Sequence, residues 1–161
     1  MRREILVYPD PFLARKAVSV AVVDDRIRAL VRDMFETMYA AEGVGLAATQ
    51  VGVGKRVIVL DVSPVDETIS PLAVVNPEIV WREGSVTGVE GCLSVPGIQG
   101  EVCRAETVDV RGMDERGNPL RIRATGILSR ALQHEIDHLD GVLFIDRASS
   151  SSPSSAAASA K

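Results

Sequence analysis

The segment His134-Glu135-Ile136-Asp137-His138 is a His-Glu-x-x-His sequence, and it contains both histidines of the chain. On a helix, residues four apart project from one face. Two imidazoles can therefore converge on a single divalent ion while Glu135, one step from the first, borders the same site as a general base. A catalytic ion needs a third protein ligand and an open position for water. Metalloproteases that extend this motif to a further histidine match the chain through Gly141, but Phe144 stands where that histidine belongs. A downstream glutamate is no alternative, because none follows Glu135. The cysteines are the remaining candidates. Cys92 lies in Glu90-Gly91-Cys92-Leu93-Ser94, where Gly91 permits close backbone approach and strand-like flanks can fix a thiolate. Cys103 lies in Gly100-Glu101-Val102-Cys103, next to a strand, where a cysteine often serves as a small apolar side chain.

A further segment, Gly43-Val44-Gly45-Leu46-Ala47-Ala48-Thr49-Gln50, is rich in small residues that let backbone run close to a ligand. The neutral amide of Gln50 can donate to a developing oxyanion without competing for the metal. Its plain alternative is a helix-to-strand turn with a solvent-facing glutamine.

These groups need elements to hold them. Ile27, Leu30, Val31, Met34, Phe35 and Met38 have the spacing of one helical face, predicting a first helix from Asp24, its cap, to Gly43, its stop. Val57–Leu60 and Leu72–Val75 read as strands, the second broken by Asn76-Pro77. Thr107–Val110 and Leu120–Arg123 flank a turn at Asp114–Asn118 and predict a hairpin. A second helix is expected from about Thr125, its cap, to Asp140, with Gly141 as stop. On it the histidines continue a stripe through Ile127 and Ala131, which places them on a buried side. The expected class is α+β: mainly antiparallel β-sheets around a central helix carrying the His-Glu-x-x-His motif, plus an N-terminal helix.

The 161 residues, 46% hydrophobic and 25% charged, suit one domain, and an aromatic share of 4% implies an aliphatic core. A net charge of -4 argues against nucleic acid or an anionic membrane as the main partner. No apolar run approaches a membrane span, and the opening MRREILVYPDP lacks the pattern of a signal peptide, so the cytoplasm is the expected location. Two cysteines do not make a disulfide framework. The catalytic domain is expected over residues 1–147, with 148–161 as a disordered Ser/Ala-rich tail.

Taken together, GVGLAATQ, EGCLS and QHEIDHLDG resemble the three motifs of the peptide deformylase family, in order and at similar separations. YPDP, DMFETMYA and VVNPEI extend the likeness to about Arg147. The resemblance implies removal of the formyl group from N-terminal formyl-methionine of nascent proteins. It implies Cys92, His134 and His138 as ligands of one divalent ion, commonly ferrous iron, with nickel, cobalt or zinc accepted. It implies Glu135 as proton carrier, with Gln50 and the Leu93 backbone N–H stabilising the oxyanion. Val44, Gly45 and Gly91 would pair with the extended peptide, Glu90 would line the site entrance, and Val89, Ile127 and Ala131 would form the methionine pocket. Its partners would be N-formyl-methionyl nascent peptides, with transient ribosome contact. Two positions depart from the pattern: Gln99 stands where some bacterial members carry an arginine, and the Ser/Ala tail where many carry a C-terminal helix. The rival readings are a metallopeptidase with the same helix motif and a catalytically idle relative that binds metal or formyl-peptides.

Overall fold

The structure, a computed structural model, describes residues 1–148 and 150–153, the last four as backbone. Helix α1 (Asp25–Ala40) starts where Asp24 accepts the backbone N–H groups of Arg26 and Ile27, which satisfies donors that a helix start leaves free. Its end differs from the expected glycine stop. Glu42 takes the left-handed conformation (φ 59°), while the N–H of Gly43 reaches back to the Met38 carbonyl at 2.9 Å. A side chain in that conformation is strained. Glu42→Gly is expected to stabilise the fold by about 1 kcal/mol, read as a higher urea midpoint at unchanged slope.

Five antiparallel strands form the main sheet in the order β1 (Gly45–Ala47), β2 (Val57–Leu60), β3 (Leu72–Glu83), β6 (Thr107–Met113), β7 (Pro119–Thr125). Side chains alternate across it. Val57, Val59, Ala73 and Val75 meet Ile27, Leu30, Val31, Met34 and Met38 of α1. Ile58, Leu60, Val74, Val108 and Val110 meet Leu128, Ala131, Leu132, Ile136 and Leu139 of α2 (Gly126–Leu139). The opposite side of α2 faces a second sheet, in which β4 (Val86–Cys92), β5 (Val95–Arg104) and β8 (Ser150–Pro153) pair in that order. A short α3 (Phe144–Arg147) packs against β5 through a cluster of Leu13, Cys92, Val95, Val102 and Phe144. This is the α+β arrangement around a central helix.

The hairpin forms as expected, with Asp114 Oδ1 accepting the N–H groups of Arg116 and Asn118 at 2.9 Å each. Three other expectations need correction. Asn76-Pro77 does not end β3 but bulges it: Asn76 turns left-handed (φ 53°) and its side-chain amide pairs with both backbone groups of Val20. A bulge is a place where a strand tolerates proline. Thr125 occupies the N-cap of α2 without capping it, because its hydroxyl pairs with Thr107 across the β6–β7 ladder. The stretch 150–153, read as tail, pairs with Ile98–Glu101 as β8. The open edge of β5 offers backbone donors and acceptors to any sequence, so side-chain pattern carries no warning of such pairing. Ser149 and residues 154–161 of the expected tail lie outside the described residues.

At its far end α2 closes on Gly141 (φ 77°), where an added Cβ would overlap the Ala14 carbonyl. That stop sets the direction of Leu143–Phe144 back under the histidines; the Phe144 ring lies 6.2 Å from that of His134.

Candidate metal centre

Alternation along β4 turns Glu90 and Cys92 inward, toward α2, and Val89 outward. Val89 is accordingly 61% exposed. His134 and His138, one turn apart, face the end of β4 from the helix. The Cys92 Sγ lies 3.2 Å from His138 Nε2, and one ligand atom from each of Cys92, His134 and His138 falls within 4.8 Å of the others. Cys103 is exposed and outside this group.

The donor set fits a divalent transition metal. One thiolate and two imidazoles suit iron, cobalt, nickel or zinc. The Nδ1 of His134 contacts Glu90 Oε1 at 3.0 Å, which leaves Nε2 of that ring for the shared centre. Such a carboxylate partner is the usual device for fixing a ligand imidazole. Burial, and then the neighbouring His134, hold His138 well below the ordinary histidine range, so its ring is a neutral donor. Burial pulls His134 down as well, but contacts with Cys92 and Glu90 outweigh it and hold this ring well above that range. Metal binding at this ring therefore displaces a proton.

Glu135 is 5% exposed, and burial pushes its carboxyl up to about 7. Its Oε1 has no hydrogen-bond partner among the described residues. The carboxylate points at the backbone of β1, so that a Cβ on Gly45 would stand 2.5 Å from Oε2. Gly45→Ala is expected to displace this carboxylate and lower kcat by 100-fold or more, on the scale of losing a positioned acid-base group. Metal content should stay at the parent level. Unchanged kcat in the alanine variant would show that the carboxylate has no fixed position.

Gln50 is buried, contrary to its solvent-facing alternative. Its Oε1 accepts the Ala47 N–H at 2.9 Å, and its Nε2 lies 3.0 Å from Ser94 Oγ and 3.6 Å from Cys92 Sγ. Its amide nitrogen thus lies beside the Cys92 sulfur, and the neighbouring Thr49 hydroxyl donates to the His138 carbonyl at 3.2 Å. Leu93, next to Cys92, packs its side chain on the α1 cluster.

The peptide-facing expectations divide. The Asp61 N–H donates to the Val44 carbonyl, so that carbonyl belongs to the sheet. The alternation of an antiparallel ladder then turns the N–H and C=O of Gly45 to the other side, where no strand pairs with β1 among the described residues. Gly91, partly exposed, joins Glu90 to Cys92. Ile127 and Ala131 pack together with Val44 in the α2 cluster. Val89 is not among them, because it lies on the outer face of its strand. Glu90 does not line an entrance: it is buried and bound by Arg104, Arg130 and His134. Burial alone would raise its carboxyl, but the hydrogen bonds from Arg104 and His134 prevail and hold it well below the usual carboxylate range.

Ser94, Arg104 and Arg130 were not anticipated. For Arg104 a signal existed, since alternation from the inward Val102 points position 104 inward too. A cleft of about 450 Å³ behind α2, lined by Arg56, Arg82, Cys103, Gln133 and Asp137, contains none of the three ligand residues and is separate from the centre.

A buried cysteine sulfur and two imidazoles, with a buried carboxyl beside them whose Oε1 has no partner among the described residues, define a metal-dependent hydrolase centre. The polypeptide deformylase profile matches residues 2–154. A peptide deformylase of Alkalilimnicola ehrlichii is 54% identical over 143 residues, spanning 89% of this chain and 80% of that protein. One of Thermodesulfovibrio yellowstonii is 50% identical, spanning 91% and 88%. The crystal structure of a peptide deformylase from Legionella pneumophila superposes with a TM-score of 0.87 at 46% identity, over 92% of this chain and 87% of that one. That of Synechococcus elongatus, in complex with actinonin, gives 0.86 at 45%, over 91% and 80%. The chain belongs to the polypeptide deformylase family. No helix among the described residues is long and apolar enough to cross a membrane.

Proposed function

We propose that this chain hydrolyses the N-formyl group of N-terminal formyl-methionine on nascent proteins, releasing formate, at an ion held by Cys92, His134 and His138. The observation that carries this reading is the convergence of the three ligand atoms beside the buried Glu135 carboxyl. In the cell the ion is ferrous iron, and nickel, cobalt or zinc replaces it in preparations, in keeping with the mixed sulfur and nitrogen donor set. A divalent ion bound there supplies Lewis acidity to the reaction.

The protein's own groups do the rest. Glu135, with a proton affinity matched to neutral pH by burial, takes a proton from the attacking water and returns it to the departing amine. Gln50 Nε2, held by the Ala47–Gln50 bond, and the N–H of Leu93 donate to the formyl oxygen as charge accumulates on it. The outward N–H and C=O of Gly45 pair with the peptide as an added strand would, with Gly91 on its other side. The methionine side chain rests on Val44, Ile127 and Ala131. This activity belongs in the cytoplasm, in transient contact with ribosomes that deliver the nascent chain.

The test is formate release from formyl-Met-Ala by protein loaded anaerobically with iron, or with nickel in air, because a ferrous thiolate site is open to oxidation. Formate together with free Met-Ala is expected, and unformylated peptides should stay intact. Cleavage of an internal amide bond would favour the metallopeptidase reading. Saturable peptide binding without formate would favour the idle binder.

A further inference from the structure

Arg104, at the end of β5, is 4% exposed and directs its guanidinium inward. Its Nε and Nη2 donate to the two oxygens of Glu90 at 2.9 Å each, and its Nη1 donates to Asp137 at 2.6 Å. Glu90 stands two residues before Cys92 on β4. Asp137 stands immediately before His138 on α2. One planar group thus spans the strand that carries the sulfur and the helix that carries both rings. Glu90 passes the constraint on, because its Oε1 also meets His134 Nδ1 at 3.0 Å. Arg130 braces Glu90 at 2.6 Å and Arg147 braces Asp137, but among the described residues Arg104 alone reaches both carboxylates. The fork geometry matters here, since a lysine ammonium cannot hold a carboxylate side by side and reach a second one.

We propose that Arg104 is a positioning residue for the metal centre: it sets the separation of the Cys92 sulfur from the two imidazoles and the orientation of the His134 ring. The proposal rests on the metal-binding reading above. Ion affinity and ligand geometry then depend on a side chain that touches neither ion nor substrate.

The experiment uses cobalt(II) as probe, bound to the parent chain, to Arg104→Lys, to Asp137→Asn and to the control Arg121→Lys, which weakens the unrelated pair between the exposed Arg121 and the buried Asp109. Visible absorption reports ligand geometry, and transfer of cobalt to excess chelator reports retention. In Arg104→Lys the d–d bands should shift and cobalt should leave 10–100-fold faster, the range for losing a group that orients a metal ligand. Asp137→Asn should fall between, and Arg121→Lys should match the parent. Circular dichroism identifies the folded variants. Should Arg104→Lys not fold, Asp137→Asn alone decides, since it takes the charge from one arm of the bridge, and from the Arg147 pair, and leaves the Glu90 pair in place. Parent-like bands and release rate in the deciding variant overturn the proposal. A parent chain that takes up cobalt without a thiolate charge-transfer band overturns the metal reading itself, and this inference with it.

Discussion

Glu135→Gln is expected to keep its ion and lose 100- to 10,000-fold in kcat, the usual worth of a positioned acid-base group. Glutamine preserves the volume and removes only the proton carrier. The acid limb of kcat/KM against pH should vanish with it. In the parent that limb reports the Glu135 carboxyl, which stands at about 7 in the metal-free protein and is drawn lower by a bound cation. The same substitution has a readout in the metal-free state. A rise from 4.5 to about 7 corresponds to about 3 kcal/mol of preference for the protonated form. Because the folded-state value is the raised one, the folded state binds more protons between these values and loses stability as pH climbs through them. Metal-free Glu135→Gln should therefore melt close to the parent near pH 4.5 and above it at pH 8, by up to about 3 kcal/mol. Equal pH dependence of melting in parent and variant would show that folding does not raise the Glu135 carboxyl.

Cys92→Ala should abolish stoichiometric metal binding and formate release together. Two imidazoles remain, but the only anionic donor of the cluster is gone, and a thiolate is what makes this set strong for a transition metal. Metal analysis after gel filtration and titration against a chelator check this. The paired control is Cys103→Ala: that thiol is exposed and outside the cluster, so metal content and turnover should equal the parent's. If Cys103→Ala loses metal and Cys92→Ala retains it, the centre has been assigned to the wrong cysteine.

The first expectation begins with residues that are close in the sequence. His134, Glu135 and His138 were legible because a helix turns spacing directly into geometry: four residues make about one turn, whatever the rest of the fold does. The faces of α1 and α2, the strand at Val57–Leu60 and the hairpin around Asp114–Asn118 were legible for the same reason, since each follows from a local period or turn. Cys92 against Cys103 could not be decided by local pattern, because a thiol's distance from a helix 40 residues on depends on which strands pair and in what register.

Glu90 marks the boundary most clearly. The family resemblance implied that it lines the site entrance. In the structure, period-2 alternation turns it into the space between β4 and α2, where Arg104, Arg130 and His134 claim its oxygens. Val89 moved out of the expected methionine pocket by the same alternation. At Asn76 a proline that signalled a break became a bulge, because Val20, 56 residues earlier in the chain, supplies the partners that make the left-handed turn tolerable.

The amino-acid sequence on its own marked both helices with their buried faces, the strand at Val57–Leu60 and the hairpin around Asp114–Asn118, and set His134, Glu135 and His138 on one stretch of helix, all of which depend on neighbours within a turn or a hairpin. Tertiary structure alone decided which thiol meets them, that Gln50 is locked against Ser94 rather than hydrated, and that a buried arginine bridges the sulfur's strand to the histidines' helix. The physical reason is that these contacts join residues more than 10, and mostly more than 30, positions apart, and only the packing of two sheets against α2 determines those distances.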